Sequence, residues 1–128
     1  MEMNTDVAVL SVSILVSLSA TAQCSVAMVK QNAVGLVCPI IRQVKDTHLL
    51  LLMQTRKSKE SSVINMSDKE QEKFEQTGQL LLRTLSLLST FTTLSQVLQG
   101  FIDQDGASTA MEIAKVYHHH LVKDLSLL

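Results

Sequence analysis

At 128 residues the chain has the length of one domain, enough for a modest core and too little for two. Its 11 basic and 12 acidic residues are scattered and leave a formal net charge of −1, which excludes a basic face that binds nucleic acid by counterion release. Aromatic content is 3% with no Trp, so stacking platforms for single strands and aromatic walls for sugars are missing, whereas a hydrophobic content of 46% asks for somewhere to be buried.

The opening stretch, "VLSVSILVSLSATAQCSVAMV" at 9–29, lies in a run that carries no charge between Asp6 and Lys30. As a strand it would put Leu10, Val12, Ile14, Val16 and Leu18 on one face and Ser11, Ser13, Ser17 and Ser19 on the other, but no convincing second strand follows to pair with it. As a helix it places Ser13, Ser17, Thr21 and Ser25 at steps of four, with Leu10, Ile14 and Leu18 as an apolar stripe alongside. The helix accounts for more residues and is predicted over 5–34, capped by Asn4 or Thr5, with Asp6 near its positive end. Its ridge of small residues lets a second helix approach closely.

Three settings for that helix stay open. It is the buried helix of an intracellular, cytoplasmic bundle, a membrane span over 7–29, or an export signal cut after Ala20-Thr21-Ala22, which would remove 1–22 and leave a secreted helical factor. The span is long enough for a bilayer, yet serines dilute it and neither Trp nor Tyr marks its ends. Export would make Asn65-Met66-Ser67 a glycosylation sequon and allow Cys24 and Cys38 to pair, but the leading "MEMNTD" carries acids where a signal needs bases. The cytoplasmic bundle is the reading adopted.

One Pro and four Gly favour long helices in the rest of the chain. Gly35 and Pro39 punctuate it, and Pro39 suits the first turn of a helix over 39–57, in which Ile41, Val44, His48, Leu51 and Leu52 recur at helical spacing. A polar connector, "SKESSVIN", occupies 58–65. Ser67 and Glu70 then form a capping box that opens a long helix over 67–101. Phe74, Gly78, Leu81, Leu85 and Leu88 make one stripe on it, and Leu80, Leu87, Phe91, Leu94, Leu98 and Phe101 make a second, so it is buried over a wide arc. After a turn at "DQDGAS" a last helix is predicted over 107–126, capped by Ser108. The expected fold is a single all-α domain, 1–128, built as an antiparallel bundle of about four helices around one long central helix.

Signs of chemistry are sparse. His118, His119 and His120 point about 100° apart on a regular helix and cannot close on one metal ion. Cys24 and Cys38 stand fourteen residues apart with no companion cluster, and His48 falls on the apolar side of its helix, as a structural histidine does. The window "FIDQDGASTAME", 101–112, resembles an EF-hand calcium loop: Asp103, Asp105, Gly106 and Glu112 would fall at positions three, five, six and twelve. Its first position is Phe101 where that loop needs an acid, so an ordinary turn is expected. Gly78, inside a helix and on its apolar stripe, marks a close helix crossing. No phosphate loop, nucleophile elbow or apolar carboxylate pair is present.

The expectation is a non-enzymatic helical interaction module, a small subunit, adaptor or chaperone-like partner that binds itself or another helical protein. The residues expected to carry contact are Ser13, Ser17, Thr21, Gly78, Leu87, Phe91, Leu94 and Leu98. No cofactor, metal ion, small-molecule substrate or nucleic acid is expected.

Overall fold

A computed structural model describes the backbone of residues 5–61 and 67–126, and the side chains of 6–55 and 67–122. Among these residues the chain is an all-α helical bundle without strands: α1 (Thr5–Leu18), α2 (Ala22–Lys30), α3 (Ala33–Ser61), α4 (Asp68–Thr92), α5 (Leu98–Asp103) and α6 (Gly106–Ser126). A short 3-10 turn at Ser95–Val97 leads into α5. The pairing of α3 with α4 is the most extensive, followed by α1 on α4, and α6 lies chiefly against α3 and α5.

The first predicted helix is divided into three pieces. Its serines and threonines break it, because their short hydroxyls compete for backbone groups. Ser19 donates to the Val16 carbonyl at 2.7 Å, and Ser25 reaches back to the Ser19 carbonyl at 3.0 Å. Thr21 leaves the small-residue ridge and caps α2, accepting from the Cys24 amide at 3.3 Å. The next break falls at Asn32, whose φ of 65° is left-handed, and α3 begins directly after it. The Asn32 side chain folds over Gly35, where a Cβ would stand 2.4 Å from its oxygen and make that exposed side chain swing aside. Pro39 lies inside α3 and not at its start. It has no amide to offer the Gly35 carbonyl one turn back.

The start of α4 agrees with the sequence: the Ser67 hydroxyl accepts from the Glu70 amide at 3.2 Å and donates to the Glu70 carboxylate at 3.2 Å. Its end comes nine residues early, in the run "TFTT". Thr92 and Thr93 each donate to a carbonyl three residues back at 2.7 Å, and Leu94 turns to extended backbone. Ser108 does not cap α6. The helix starts at Gly106, behind Asp105 at φ 72°, and Ser108 donates back to the Asp105 carbonyl at 3.3 Å. Part of the predicted connector belongs to α3, and Asn65 and Met66 of the sequon lie outside the described residues.

Val12, Val29, Val34, Val37, Ile41 and Val44 from α1 to α3 meet Leu80, Leu87, Leu88 and Phe91 of α4, with Phe101 and Ile113 completing the core. Thr77 and Thr84 are buried among them and satisfy their hydroxyls on carbonyls of their own helix, as at 3.0 Å from Thr84 to Leu80. Charge fastens α6 to α3: Glu112 accepts from Arg42 at 3.0 Å and pairs with Lys45 at 3.6 Å.

Candidate interaction face

Fourteen residues of α1 place apolar side chains on both of its sides. Val12 is buried against the bundle, and Ala8, Val9, Leu15 and Val16 pack beside it. The opposite side carries Val7, Leu10, Ile14 and Leu18, 59%, 67%, 62% and 46% exposed, in a row one turn apart. A helix that buries one face and is still apolar on the other has more hydrophobic surface than its own fold can use.

The row is shaped as well as apolar. Leu10, Ile14 and Leu18 form a ridge, and Ser13 and Ser17 are the low ground next to it; the five line an open groove of about 470 Å³. Small residues at i and i+4 beside large ones at i+1 and i+5 are what a second helix needs to seat its own ridge. The Ser13 hydroxyl is already occupied, donating to the Val9 carbonyl at 2.7 Å and accepting from the Arg83 guanidinium of α4. The groove is thereby tied to α4 and presents no unsatisfied hydroxyl at that point. After Asp6 no charged residue follows on α1.

The other expected contact residues are dispersed. Leu87 and Phe91 are wholly buried and belong to the chain's own core, so neither is free for a partner. The bundle hides Leu80, Leu87 and Phe91 of that stripe, and the part beyond them falls outside α4, which ends at Thr92. Leu94 is half-buried, and Leu98, 38% exposed, opens α5. Gly78 lies under the His48 ring at the contact of α3 with α4. Thr21 is exposed at the α2 cap. Ser13 and Ser17 alone come together, and the leucines and isoleucine alongside them supply the surface.

Other candidates resolve into structural roles. Asp103 accepts from Gln99 at 2.9 Å and Glu112 is engaged by Arg42 and Lys45, so the calcium-loop spacing does not converge on a site. No group of three metal-ligating side chains occurs among the described residues. Cys24 and Cys38 are free thiols, and the Cys38 thiol donates to the Asp105 carbonyl at 3.7 Å. His118 and His119 are exposed. No single helix among the described residues is long and apolar enough to cross a membrane; α2 with the first part of α3 passes on length and composition only as a pair bent by 82°. No protein-family model, curated protein or solved structure matches the chain.

Proposed function

We propose that this chain is a non-enzymatic helical interaction module that buries the outer face of α1 against the same face of a second copy. The observation that carries the reading is the exposed row Val7, Leu10, Ile14 and Leu18 beside the Ser13–Ser17 groove. The patch is self-complementary, ridge beside groove, as a two-fold interface requires. It carries no charge beyond Asp6 to oppose a second copy. Two free thiols are in keeping with a reducing compartment, so we place the protein inside the cell.

Fully burying one such side chain is worth about 1.5–3 kcal/mol, so covering four that are roughly half exposed on each of two copies yields on the order of 8–12 kcal/mol, most of which the association cost of about 4–15 kcal/mol offsets. That supports a weak, reversible contact and not a permanent one. Sedimentation equilibrium on the full chain, to about 1 mM, should show a monomer–dimer equilibrium. Ile14→Asp should abolish it without lowering the melting temperature, whereas Val12→Ala should lower melting and leave association in place. A chain that stays monomeric throughout, or dimers that survive Ile14→Asp, would refute the proposal. An intact mass from native cells that lacks residues 1–22 would also refute it, because the face would be gone.

A further inference from the structure

On a helix that turns about 100° per residue, the outer side of α1 divides into a seam and two flanks. Val7, Leu10, Ile14 and Ser17 recur at steps of three, four and three, the a and d spacing of a coiled-coil seam, and all four are exposed. Val7 and Ile14 take a, and Leu10 and Ser17 take d. Half-buried Ser13 then falls at g, on one flank, and exposed Leu18 at e, on the other. Arg83 of α4 marks the g flank, where it donates to the Ser13 hydroxyl.

We infer that two copies join along this seam with their α1 helices parallel and in register, a on a and d on d. This arrangement rests on the self-association proposed above, to which it adds orientation and register. The composition of the seam favours it. A β-branched side chain is stiff at χ1, and Val7 and Ile14 at a with Leu10 at d are the residues that favour two parallel strands. Ser17 ends the seam with a small side chain, which lets the two backbones draw closer there.

Symmetry favours it as well. A two-fold axis along the helices sets the g flank of one copy against the e flank of the other. Ser13 then receives Leu18 of the second copy, and a large side chain fills the room beside a small one. An axis across the helices sets like flank on like flank, so serine faces serine and that room stays empty. Charge points the same way. With the crossing axis at the middle of the face, between Val12 and Ser13, the two Arg83 guanidiniums come to the same side at the same level and repel. The parallel pair holds them on opposite sides of the seam. Aligned helix dipoles oppose the parallel pair, but only across the first and last turns and less as salt is raised.

Cysteine cross-linking separates the two orientations. Leu10→Cys and Ser17→Cys are made singly in a Cys24→Ser background, with Cys38 left in place because it is buried. Both new sites are exposed, so the core of the bundle is untouched. In a glutathione redox buffer, at concentrations where the parent chain sediments as a dimer, each variant should give a disulfide-linked dimer of twice the chain mass. That bond needs Cα atoms within about 7 Å. No crossing axis serves both sites: an axis through one leaves the copies of the other about 21 Å apart along the helix. Linkage of each variant with itself supports the parallel seam. Linkage of only one, or linkage only in an equal mixture of the two, makes the pair antiparallel and overturns the inference. No linkage in any of these, in a chain whose parent dimerises, places the contact elsewhere and overturns it too, with self-association left standing. A parent chain that stays monomeric in sedimentation refutes self-association itself, and the seam with it.

Discussion

Gly78 offers the sharpest test of how α3 meets α4. Alanine at this position gains up to about 1 kcal/mol in helix propensity. Its Cβ arrives 3.3 Å from His48 Nε2 and 3.6 Å from Cδ2, so the ring need give only a few tenths of an ångström. Leucine gains a similar propensity, but its further carbons must occupy the space of the ring, which is held on its other sides by Phe74 and Tyr117. Overpacking of that kind costs about 1–3 kcal/mol, and displacing the ring from Tyr117 forfeits about 1 kcal/mol more. Gly78→Ala should therefore unfold within about 0.5 kcal/mol of the parent chain, and Gly78→Leu should be destabilised by roughly 2 kcal/mol net. Urea unfolding followed by far-ultraviolet circular dichroism at neutral pH measures both. His48→Ala in the Gly78→Leu background should recover part of the loss, a coupling that a double-mutant cycle isolates. Leucine melting with the parent chain, or no recovery when the ring is removed, would show that the ring is not what fills the crossing.

Two further substitutions test separate parts of the fold. Pro39→Ala restores an amide to the interior of α3 at an exposed site and should stabilise the chain by about 1–3 kcal/mol, seen as a higher melting temperature; no rise would mean that the Gly35 carbonyl is satisfied in another way. The hydrogen bond from Arg42, and after it the charge of Lys45, hold the Glu112 carboxyl below its ordinary 4.5. A carboxyl lowered on folding contributes stability that is complete above 4.5 and is lost as pH falls through the folded-state value. Glu112→Gln should flatten that acid limb in a series of urea midpoints, and an unchanged limb would remove the ion pair from the account.

The sequence announces helices more clearly than it announces where they stop. Ser67 and Glu70 mark the start of α4 because a capping box works through local chemistry that needs no tertiary partner. The breaks at 19–21 and after Thr92 depend on which hydroxyls turn back onto carbonyls, and the same serines and threonines are tolerated inside a continuous helix. A signal was present at the end of α2, where Lys30 stands in the last turn and Asn32 takes the left-handed position that stops a helix. Pro39 reads as a first-turn residue only while Gly35 is read as a break; in the fold Gly35 is inside the helix, beneath the Asn32 side chain. The candidate face was half legible. Ser13 and Ser17 with Leu10, Ile14 and Leu18 are visible as adjacent stripes, but an all-apolar helix does not say which stripe faces out. That is set by Val12 and Arg83, where α1 meets the bundle.

The same break that shortens the first helix also sizes its face. Exposed apolar side chains occur elsewhere, among them Leu36 and Leu50 on α3, Leu82 on α4 and Met111 on α6, but scattered residues of that kind are ordinary on a protein surface. On α1 they fall at steps of three, four and four along the whole helix and stop where Ser19 and Thr21 take up backbone groups. Fourteen residues rise about 21 Å, so a docked helix meets it over no more than four turns. A continuous helix over 5–34 would have doubled that length and favoured a permanent assembly. For the self-association proposed above, the shorter face predicts a weaker contact, one that a single charge at Ile14 should undo.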